Sequence, residues 1–355
     1  MKRILVTGGC GFLGSNVAVH FLREGWQVTL IDALLRQGAA ANLDWLRSQA
    51  REGQLTCVIQ DLAEEAGVRQ AFRQHGPFDF VCHLAGQVAM TTSLSDPRRD
   101  LLTNILGTFN VLEAARQLSP DTLLAYSSTN KVYGDLEWVR YQETATRYLT
   151  PDYPEGFDET IPLDFASPYG CSKGAADQYV RDWHRNYRLK TVVFRHSSIY
   201  GGRQFATFDQ GWLGWFCLQA LRQQQAVRAG QKPEPFTIAG NGKQVRDVLH
   251  GEDLVRLYAA AYERRDQVAG QIFNIGGGQP NSLSLLELFD LLGRLTGVTL
   301  SFTQNPPRPS DQKVFVADIR KAGRLLGWSP SLSKEQGIPL MLRWVEGAQS
   351  SSPAP

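Results

Sequence analysis

The chain has 355 residues, of which 43% are hydrophobic and 20% charged, and its formal net charge is +2 at pH 7. These values are typical of a globular protein with a sizeable core, and so small a charge gives no electrostatic case for binding nucleic acid or a membrane surface. No apolar run approaches the ~18 residues that a membrane-spanning helix needs, and we expect neither such a span nor a signal peptide.

Five cysteines are dispersed along the chain and are never spaced as C-x-x-C: Cys10, Cys57, Cys82, Cys171 and Cys217. This odd, scattered set predicts reduced thiols and a cytoplasmic location rather than a disulfide framework. No group of His, Cys and carboxylate residues has the spacing of metal ligands, so we predict no metal site.

The first elements predict a dinucleotide-binding unit. The apolar run 2–7 is typical of a strand, and it leads into a turn that contains Gly8, Gly11 and Gly14. Apolar residues at helical spacing follow as far as Gly25. Glycines in such a turn let the backbone approach a pyrophosphate, which binds at the N-terminus of the helix.

A second predicted strand, 27–31, ends at Asp32. A carboxylate in this position can accept hydrogen bonds from both ribose hydroxyls, and it would repel a 2′-phosphate. We therefore predict NAD as the cofactor, although Arg36 nearby leaves NADP open. Arg36 is included among the candidate cofactor residues.

Strands and helices continue to alternate, and this order predicts an α/β fold with a Rossmann-type, doubly wound parallel sheet. A long helix is expected over 96–118. The further predicted strands are 55–59, 78–83, 122–127, 190–195 and 271–275. Ligands bind beyond the C-terminal ends of the strands in such sheets. The additional candidates for cofactor binding are Phe12, Leu13, Asp61, Leu62, Leu84, Ala85, Gly86 and Ser127.

The composition changes after residue 197, where Gly, Gln, Pro and aromatic residues become frequent. We predict an NAD-binding domain formed by 1–197 and 246–276. A smaller, mixed α/β lobe that binds the substrate is expected to comprise 198–245 and 277–349. Residues 350–355 are predicted to be a disordered tail.

Tyr169 and Lys173 are four residues apart in a predicted helix, 167–187, and therefore share one face. A positive charge at about 4 Å, with an effective dielectric of about 20, is worth roughly 4 kcal/mol. This is enough to bring the pKa of a phenol from about 10 close to neutrality. The pair therefore suits a general base, although a surface tyrosine beside a solvated lysine has the same spacing.

Thr129, Tyr169 and Lys173, together with the glycine turn and Asp32, resemble the extended short-chain dehydrogenase/reductase family of sugar-nucleotide epimerases, dehydratases and reductases. The resemblance covers essentially the whole chain. It implies that Thr129 binds the reacting oxygen and that Tyr169 is the catalytic base. It also implies that Lys173 lowers the pKa of Tyr169 and holds the nicotinamide ribose, so both residues also count as cofactor-binding.

Longer strings resemble those family members that invert C2 of a CDP-linked deoxysugar. These strings are 83–90, 126–135, 167–179, 194–207 and 209–217. The resemblance implies a nucleotide-diphosphate deoxysugar as substrate, with CDP favoured, and a homo-oligomer, either a dimer or a tetramer. It also implies transient oxidation to a ketone, with bound NAD regenerated by return of the hydride to the other face. A 4-epimerase or reductase acting on a related nucleotide sugar, and a non-catalytic dinucleotide-binding protein, remain alternatives.

The family's dehydratases carry an Asp-Glu pair directly after the catalytic threonine, whereas this chain has Asn130 and Lys131 there. Because Asn130 cannot act as an acid, 4,6-dehydration is not expected. Ser198 occupies a position where the family commonly has an asparagine that contacts the substrate diphosphate. The candidate substrate-binding residues are Gln87, Ser128, Thr129, Ser198, Arg203, Gln204, Arg246 and Arg308.

The segment 135–168 is an insertion between Thr129 and Tyr169, and it is rich in aromatic, acidic and proline residues. Two interpretations stay open. The segment is either a lid or subunit contact near the sugar, or an excursion on the surface.

Overall fold

The computed structural model describes residues 1–308 and 311–350, with the backbone alone for 349 and 350. Within the described ranges, no helix is both long enough and apolar enough to cross a membrane. From residue 351 onward, the predicted tail lies outside the described residues.

The first two hundred residues alternate between strands and helices, with a π-helical turn at Leu101–Leu106 and a 3-10 turn at Asn130–Tyr133. The elements are β1 (Arg3–Thr7), α1 (Phe12–Arg23), β2 (Gln27–Asp32), α2 (Ala39–Gln49), β3 (Leu55–Ile59), α3 (Glu65–His75), β4 (Phe80–His83), α4 (Met90–Ser95), α5 (Pro97–Asp100), α6 (Gly107–Leu118), β5 (Leu123–Thr129), β6 (Gln142–Glu143), β7 (Tyr148–Leu149), α7 (Ser167–Tyr187), β8 (Lys190–His196) and β9 (Ser198–Tyr200).

The rest of the described chain has shorter strands between longer helices. The elements are α8 (Trp212–Arg228), β10 (Phe236–Ala239), β11 (Val245–His250), α9 (Gly251–Glu263), α10 (Arg265–Val268), β12 (Ile272–Ile275), β13 (Ser282–Ser284), α11 (Leu285–Thr296), β14 (Phe302–Asn305), β15 (Val314–Phe315), α12 (Arg320–Leu326) and α13 (Lys334–Ser350).

Seven strands form the central sheet in the order β12-β8-β5-β4-β1-β2-β3, and every pairing in it is parallel. One face is covered by α1, α2, α9 and α12, and the other by α3, α6 and α7. Parallel strands need crossover connections, and helices that pack on both faces bury the nearly continuous apolar strands. The predicted Rossmann-type α/β fold is confirmed.

The helix predicted over 96–118 is divided. Pro97 begins α5, the π-helical turn follows, and α6 completes the segment. A π-helical turn holds one extra residue, and such turns are frequent at functional sites. Here the turn carries Asn104, which is buried and bonded to the backbone of Gln87.

The smaller lobe has a four-stranded sheet in which β11 pairs with β9, β13 and β15, and a separate pair formed by β10 and β14. Its core lies among α8, α11 and α13, where Phe216, Leu288 and Met341 are buried together. Two observations bear on the predicted lobe boundaries. Residues 246–250 belong to the smaller sheet because β11 pairs there, whereas α12 packs on the central sheet within its core.

The insertion 135–168 packs against the smaller lobe. Arg147 is paired with Glu287 at the start of α11, and Lys243 Nζ lies 2.7 Å from Glu143 Oε1. Aromatic residues of the insertion, such as Phe157, share a core with Phe315 of β15. None of residues 135–168 lines the main cleft described below, so the structure gives no support to a lid over the sugar.

Candidate active site

A cleft of about 840 Å³ opens at the C-terminal ends of the central strands, between the two lobes. It brings together every predicted cofactor and substrate residue except Lys173. The lining includes Gly8, Gly11, Phe12, Leu13, Gly14, Asp32, Arg36, Asp61, Leu62, Leu84, Ala85, Gly86, Gln87, Ser127, Ser128, Thr129, Tyr169, Ser198, Arg203, Gln204, Arg246 and Arg308. Lys173 lies beneath this surface and is 3% exposed.

The glycine turn is built by close backbone contact. Gly8 has φ +65°, and a Cβ there would lie 2.8 Å from the backbone of Ala85. A Cβ on Gly14 would lie 2.1 Å from the carbonyl oxygen of Gly8. Gly11 is the N-cap of α1 and has no side chain to bond the first N–H groups of the helix. These N–H groups and the helix dipole therefore form an anion site.

Asp32 ends β2, and its carboxylate is held by two backbone donors. Cys10 N donates to Oδ2 at 2.9 Å, and Leu34 N donates to Oδ1 at 2.8 Å. Each carboxylate oxygen keeps a further lone pair for a ribose hydroxyl. The glycine turn, which has no room for a Cβ at Gly14, and the fixed carboxylate together fit a dinucleotide such as NAD.

Thr129 and Tyr169 meet at the base of the cleft. Thr129 is the last residue of β5, and Tyr169 lies in the first turn of α7, which begins at Ser167 and Pro168. The Thr129 hydroxyl is close enough to the phenol of Tyr169 to lower the pKa of that phenol. The Thr129 hydroxyl also accepts a bond from Lys131 N at 3.2 Å. A phenol and a hydroxyl in this arrangement can bind one carbinol oxygen of a substrate and exchange its proton.

The electrostatic setting of Tyr169 differs from the sequence-based expectation. Burial raises its pKa to about 12, and the neighbouring Thr129 hydroxyl lowers it. Lys173 Nζ donates to Ser127 O at 2.5 Å and lies over the Tyr126 ring at 4.3 Å. Burial lowers the pKa of Lys173 to about 7.

Three residues that the sequence did not single out support this centre. Asp100 accepts from Gln87 Nε2 at 2.7 Å and from Ser172 Oγ at 3.2 Å. Asn104 donates to Ser172 Oγ at 2.9 Å and to Gln87 O at 3.0 Å. The available signal was the spacing of Asp100 and Asn104, two polar residues at i and i+4 that share one face of a helix.

This network changes the interpretation of Gln87. Its Oε1 accepts from Ala89 N, and its Nε2 donates to Asp100 and to Ala89 O. The side-chain amide is thus committed to the wall of the cleft. Ser128 is similar, since its hydroxyl donates to Asp177 in the buried ion pair with Arg195.

Basic side chains gather at the other end of the cleft. Arg246 Nη2 donates to Asp311 Oδ1 at 2.7 Å, and Lys131 Nζ lies 3.7 Å from the same oxygen. Burial and the neighbouring Arg246 lower the pKa of Lys131 to about 8. The guanidinium of Arg308 lies over the Phe208 ring at 5.4 Å. This end is suited to a diphosphate, which guanidinium groups bind with charge-assisted hydrogen bonds.

Two other predicted substrate residues have defined positions. The Ser198 hydroxyl accepts from Trp212 Nε1 at 3.1 Å, which leaves its own hydrogen available to a ligand. The guanidinium of Arg203 lies over Trp45 of α2 at 4.0 Å. Arg203 is therefore at the cofactor end of the cleft rather than at the end where the basic cluster lies.

The model of a protein family described as the NAD dependent epimerase/dehydratase family matches residues 4–276. The chain belongs to this family. Its members use NAD, as the glycine turn and Asp32 predict, and the resemblance to sugar-nucleotide epimerases is confirmed.

Within this family, the chain is 52% identical over 343 residues to CDP-paratose 2-epimerase of Salmonella typhi, with 97% of this chain and 99% of that protein covered. It is 33% identical over 365 residues to dTDP-glucose 4,6-dehydratase of Neisseria gonorrhoeae, with 97% and 95% covered.

Solved structures of sugar-nucleotide epimerases are similar to the structure of this chain. UDP-glucose 4-epimerase from Thermotoga maritima, determined with UDP-glucose, has a TM-score of 0.81 at 28% identity over 98% of this chain and 100% of that one. UDP-glucose 4-epimerase from Thermus thermophilus, in complex with NAD, has a TM-score of 0.78 at 28% identity, with the same coverage.

Proposed function

We propose that this protein is an NAD-dependent epimerase that inverts C2 of a CDP-linked deoxysugar, converting CDP-paratose to CDP-tyvelose. The observation that carries the proposal is the 52% identity to CDP-paratose 2-epimerase along nearly the whole of both chains. The geometry supports it, because the Thr129–Tyr169 pair lies between a dinucleotide turn and a basic end suited to a diphosphate.

An unactivated C–H on a sugar ring is not acidic, so a base alone cannot invert C2. The chemistry that NAD supplies when bound is reversible hydride exchange with the carbinol carbon, which makes a ketone the intermediate state of the sugar. Gly8, Gly11 and Gly14 hold the dinucleotide phosphates, and Asp32 holds the ribose hydroxyls. Arg36, Asp61 and Leu62 lie on the same side of the cleft.

The protein's own groups move the proton. Tyr169 removes the proton from the substrate hydroxyl and gives it back to the carbonyl oxygen when the alcohol re-forms. Thr129 donates its one hydroxyl hydrogen to that oxygen. Lys173 fixes the end of β5 through its bond to Ser127 O. Since the pKa of Tyr169 is raised by burial, turnover depends on stabilising the phenolate at this position.

The basic end supplies the second requirement, which is to hold the substrate while its sugar turns. Arg246 and Arg308 bind the diphosphate, and the Ser198 hydroxyl donates to it or to the sugar. A diphosphate anchored at this end leaves the sugar tethered by flexible bonds. The ketone can therefore present its other face without leaving the cleft.

The residues after Thr129 do not favour dehydration. Asn130 Nδ2 donates to Gln312 Oε1 at 2.8 Å, and the amide cannot release a proton to a leaving hydroxyl. Lys131 follows where an acid would be needed. The site has a base that works on a hydroxyl but no carboxylic acid directly after Thr129.

The test is to incubate the purified protein with CDP-paratose without added cofactor and to follow the sugar by NMR. The proposal predicts an equilibrium mixture of the C2 epimers with catalytic amounts of protein. A product inverted at C4, or a reaction that consumes NAD in proportion to product, would replace this assignment with the 4-epimerase or the reductase.

We also propose that the protein forms a homo-oligomer through α6 and α7. These helices pack on each other and expose the large side chains of Phe109, Tyr179 and Tyr187, whose rings are linked by contacts with one another and with Trp183. Light scattering coupled to size-exclusion chromatography should give a dimer or tetramer, and a monomer at micromolar concentration would contradict the proposal.

We propose a cytoplasmic location as well. All five cysteines are free thiols, and Cys10, Cys82 and Cys217 are buried among apolar residues. A reducing compartment is consistent with this state of the thiols.

A further inference from the structure

Residues 202–205 run from the smaller lobe across to the first two helices of the larger one. Asn16 of α1 donates from Nδ2 to Gly202 O at 3.0 Å. Asn42 of α2 donates from Nδ2 to Arg203 O at 3.3 Å. Two backbone carbonyls of one short segment are thus bound by side chains from far earlier in the chain. We call residues 202–205 the strap.

Asn42 connects the strap to the glycine turn. Its Nδ2 also donates to Cys10 O at 3.0 Å, so both amide hydrogens are used, one on each segment. The residue is 2% exposed and lines the cleft. Its Oδ1 is buried and has no hydrogen-bond partner within the described part of the chain. A buried acceptor of this kind normally has a hydrogen-bond partner, whereas this one has none within the described part of the chain and belongs to a residue that lines the cleft.

The side chains of the strap hold it onto α2. The Arg203 guanidinium lies over the Trp45 ring at 4.0 Å. Arg203 also has φ +70°, a conformation that costs energy in a residue with a Cβ and persists only where surrounding contacts fix it.

Phe205 completes the attachment. A Cβ on Gly38, the N-cap of α2, would lie 2.0 Å from the Phe205 ring, so the ring fills the space that any other residue would occupy. The opposite side of Phe205 meets the Trp344 ring edge-on, with centroids 5.2 Å apart. The strap is therefore seated between α2 and α13.

The strap lines the cleft beside the dinucleotide turn, since Arg203, Gln204 and Phe205 all face the same space as Gly11 and Asp32. Under the proposed function, NAD is neither produced nor consumed overall and is needed again in every cycle. Its loss between cycles would stop the enzyme, so the fold requires a means to release the sugar nucleotide while it keeps the dinucleotide.

We propose that the strap retains the dinucleotide in the cleft and that Asn42 is the latch that ties it to the glycine turn. This inference rests on the proposed function only for the reason why retention is needed. Retention itself is a property of the NAD-bound protein and can be measured without any sugar nucleotide.

The experiment measures the dissociation rate of NAD from the NAD-bound protein by exchange against an excess of isotopically labelled NAD. Three variants each truncate one side chain: Asn42→Ala, Phe205→Ala and Arg203→Gly. The glycine suits the positive φ of residue 203, so this last change removes the guanidinium while the backbone keeps its path. The matched control is Arg265→Ala, since Arg265 lies over Tyr262 at 5.1 Å away from the cleft.

Loss of a latch with two hydrogen bonds should raise the dissociation rate in Asn42→Ala by about tenfold or more. Smaller increases are expected for Phe205→Ala and Arg203→Gly, and none for the control. Thermal unfolding of the NAD-bound variants is recorded in parallel. Wild-type dissociation rates in all three strap variants would overturn the proposal, as would an increase matched by Arg265→Ala.

The same data separate this inference from the proposed function. Faster NAD loss in the strap variants, with no epimerisation of CDP-paratose by the wild type, would uphold the strap and reject the assigned reaction. Epimerisation by the wild type, with unchanged NAD dissociation in the variants, would reject the strap and uphold the reaction.

Discussion

The two ends of the cleft are built in different ways. At the cofactor end, backbone atoms form the site: the turn around Gly8 and Gly14 has no room for a side chain, and Asp32 is fixed by two backbone N–H groups. At the substrate end, long side chains form the site, as Arg246 approaches from β11 and Arg308 from the segment after β14.

This difference has a consequence for how each end responds to change. A backbone site is lost when any side chain is added, because the neighbouring segment must move as a whole. In a site made of side chains, each substitution removes one charge, so the affinity for the ligand changes by one contact at a time. Tyr169 lies between the two ends and belongs to neither, so turnover should be separable from both kinds of binding.

Tyr169→Phe should have the largest effect. Removal of the phenol deletes the group that takes and returns the proton, and we expect kcat to fall by about 10²–10⁴-fold. NAD content and substrate affinity should remain close to wild type. The measurement is single-turnover kinetics with CDP-paratose, together with NAD content by absorbance after denaturation.

Tyr179→Phe is the matched control on the same helix, because Tyr179 is exposed and outside the cleft. An active Tyr169→Phe variant would reject the assigned base.

Gly14→Ala should break the cofactor end. The new Cβ would lie 2.1 Å from Gly8 O, and the turn must shift to admit it. Overpacking of this kind costs about 1–3 kcal/mol, or roughly 5–150-fold in NAD affinity if the strain falls on the bound state. The readout is the NAD content of the purified protein, and Gly347→Ala is the control, since a Cβ added there would meet no described atom within 4 Å outside its chain neighbours and its own helix backbone. Equal NAD content in the two variants would contradict the backbone account.

Arg308→Ala should weaken the substrate end alone. A hydrogen bond to a charged group is worth about 1.5–3 kcal/mol, so we expect KM to rise by roughly 10–150-fold while kcat and NAD content change little. The KM of Arg308→Lys should lie between those of the wild type and Arg308→Ala, because a point charge replaces a bidentate donor. Arg294→Ala, an exposed arginine on α11, serves as the control. An unchanged KM would remove Arg308 from the binding site.

Asp247 lies where the two lobes join, and it should give the smallest effect. Gly278 N and Ala317 N donate to its Oδ2 at 3.0 and 3.2 Å, and burial raises its pKa to about 6. This pKa is higher in the folded state than the ordinary 3.8, so the folded state binds the carboxyl proton more tightly than the unfolded state does. The resulting stabilisation of the fold is present below pH ~4 and is lost as pH rises through about 6.

Between pH 4.5 and 7.5, the ionisation of Asp247 should lower the free energy of unfolding of the wild type by about 2 kcal/mol. Asp247→Asn lacks this ionisable group, so this part of the pH dependence should be absent in the variant. Urea titrations at these two pH values measure the difference. Identical pH dependence in the two proteins would show that Asp247 does not keep its proton in the fold.

The cofactor end could be predicted from the sequence because its signals are local. Two strands with clear apolar runs locate the glycine turn, with Gly8 and Gly14, and the carboxylate of Asp32. A helix alone is enough to place Tyr169 and Lys173 on one face. The fold class followed from the same alternation of strands and helices. The pairing of β11 could not be predicted, because its partners β13 and β15 lie far away in the chain, where no local pattern identifies them.

The supporting network could not be predicted for a related reason. Asp100 ends α5 and Asn104 lies in the π-helical turn that follows, and their partners Gln87 and Ser172 lie in other parts of the chain, where no local pattern identifies them. The hydrogen-bond partner of Lys173 could not be predicted, because spacing along a helix does not give the direction of an ammonium group. Lys173 bonds to Ser127 O, and burial then dominates the pKa of the phenol.

The central claim is that one hydrogen leaves C2 and the same hydrogen returns to its other face. The most direct measurement is the conversion of CDP-paratose in D₂O by the purified protein, with the C2 position of both epimers followed by NMR. The account predicts that the product keeps protium at C2 through many turnovers. Solvent deuterium at C2 would contradict it and would show that the carbon is deprotonated rather than oxidised.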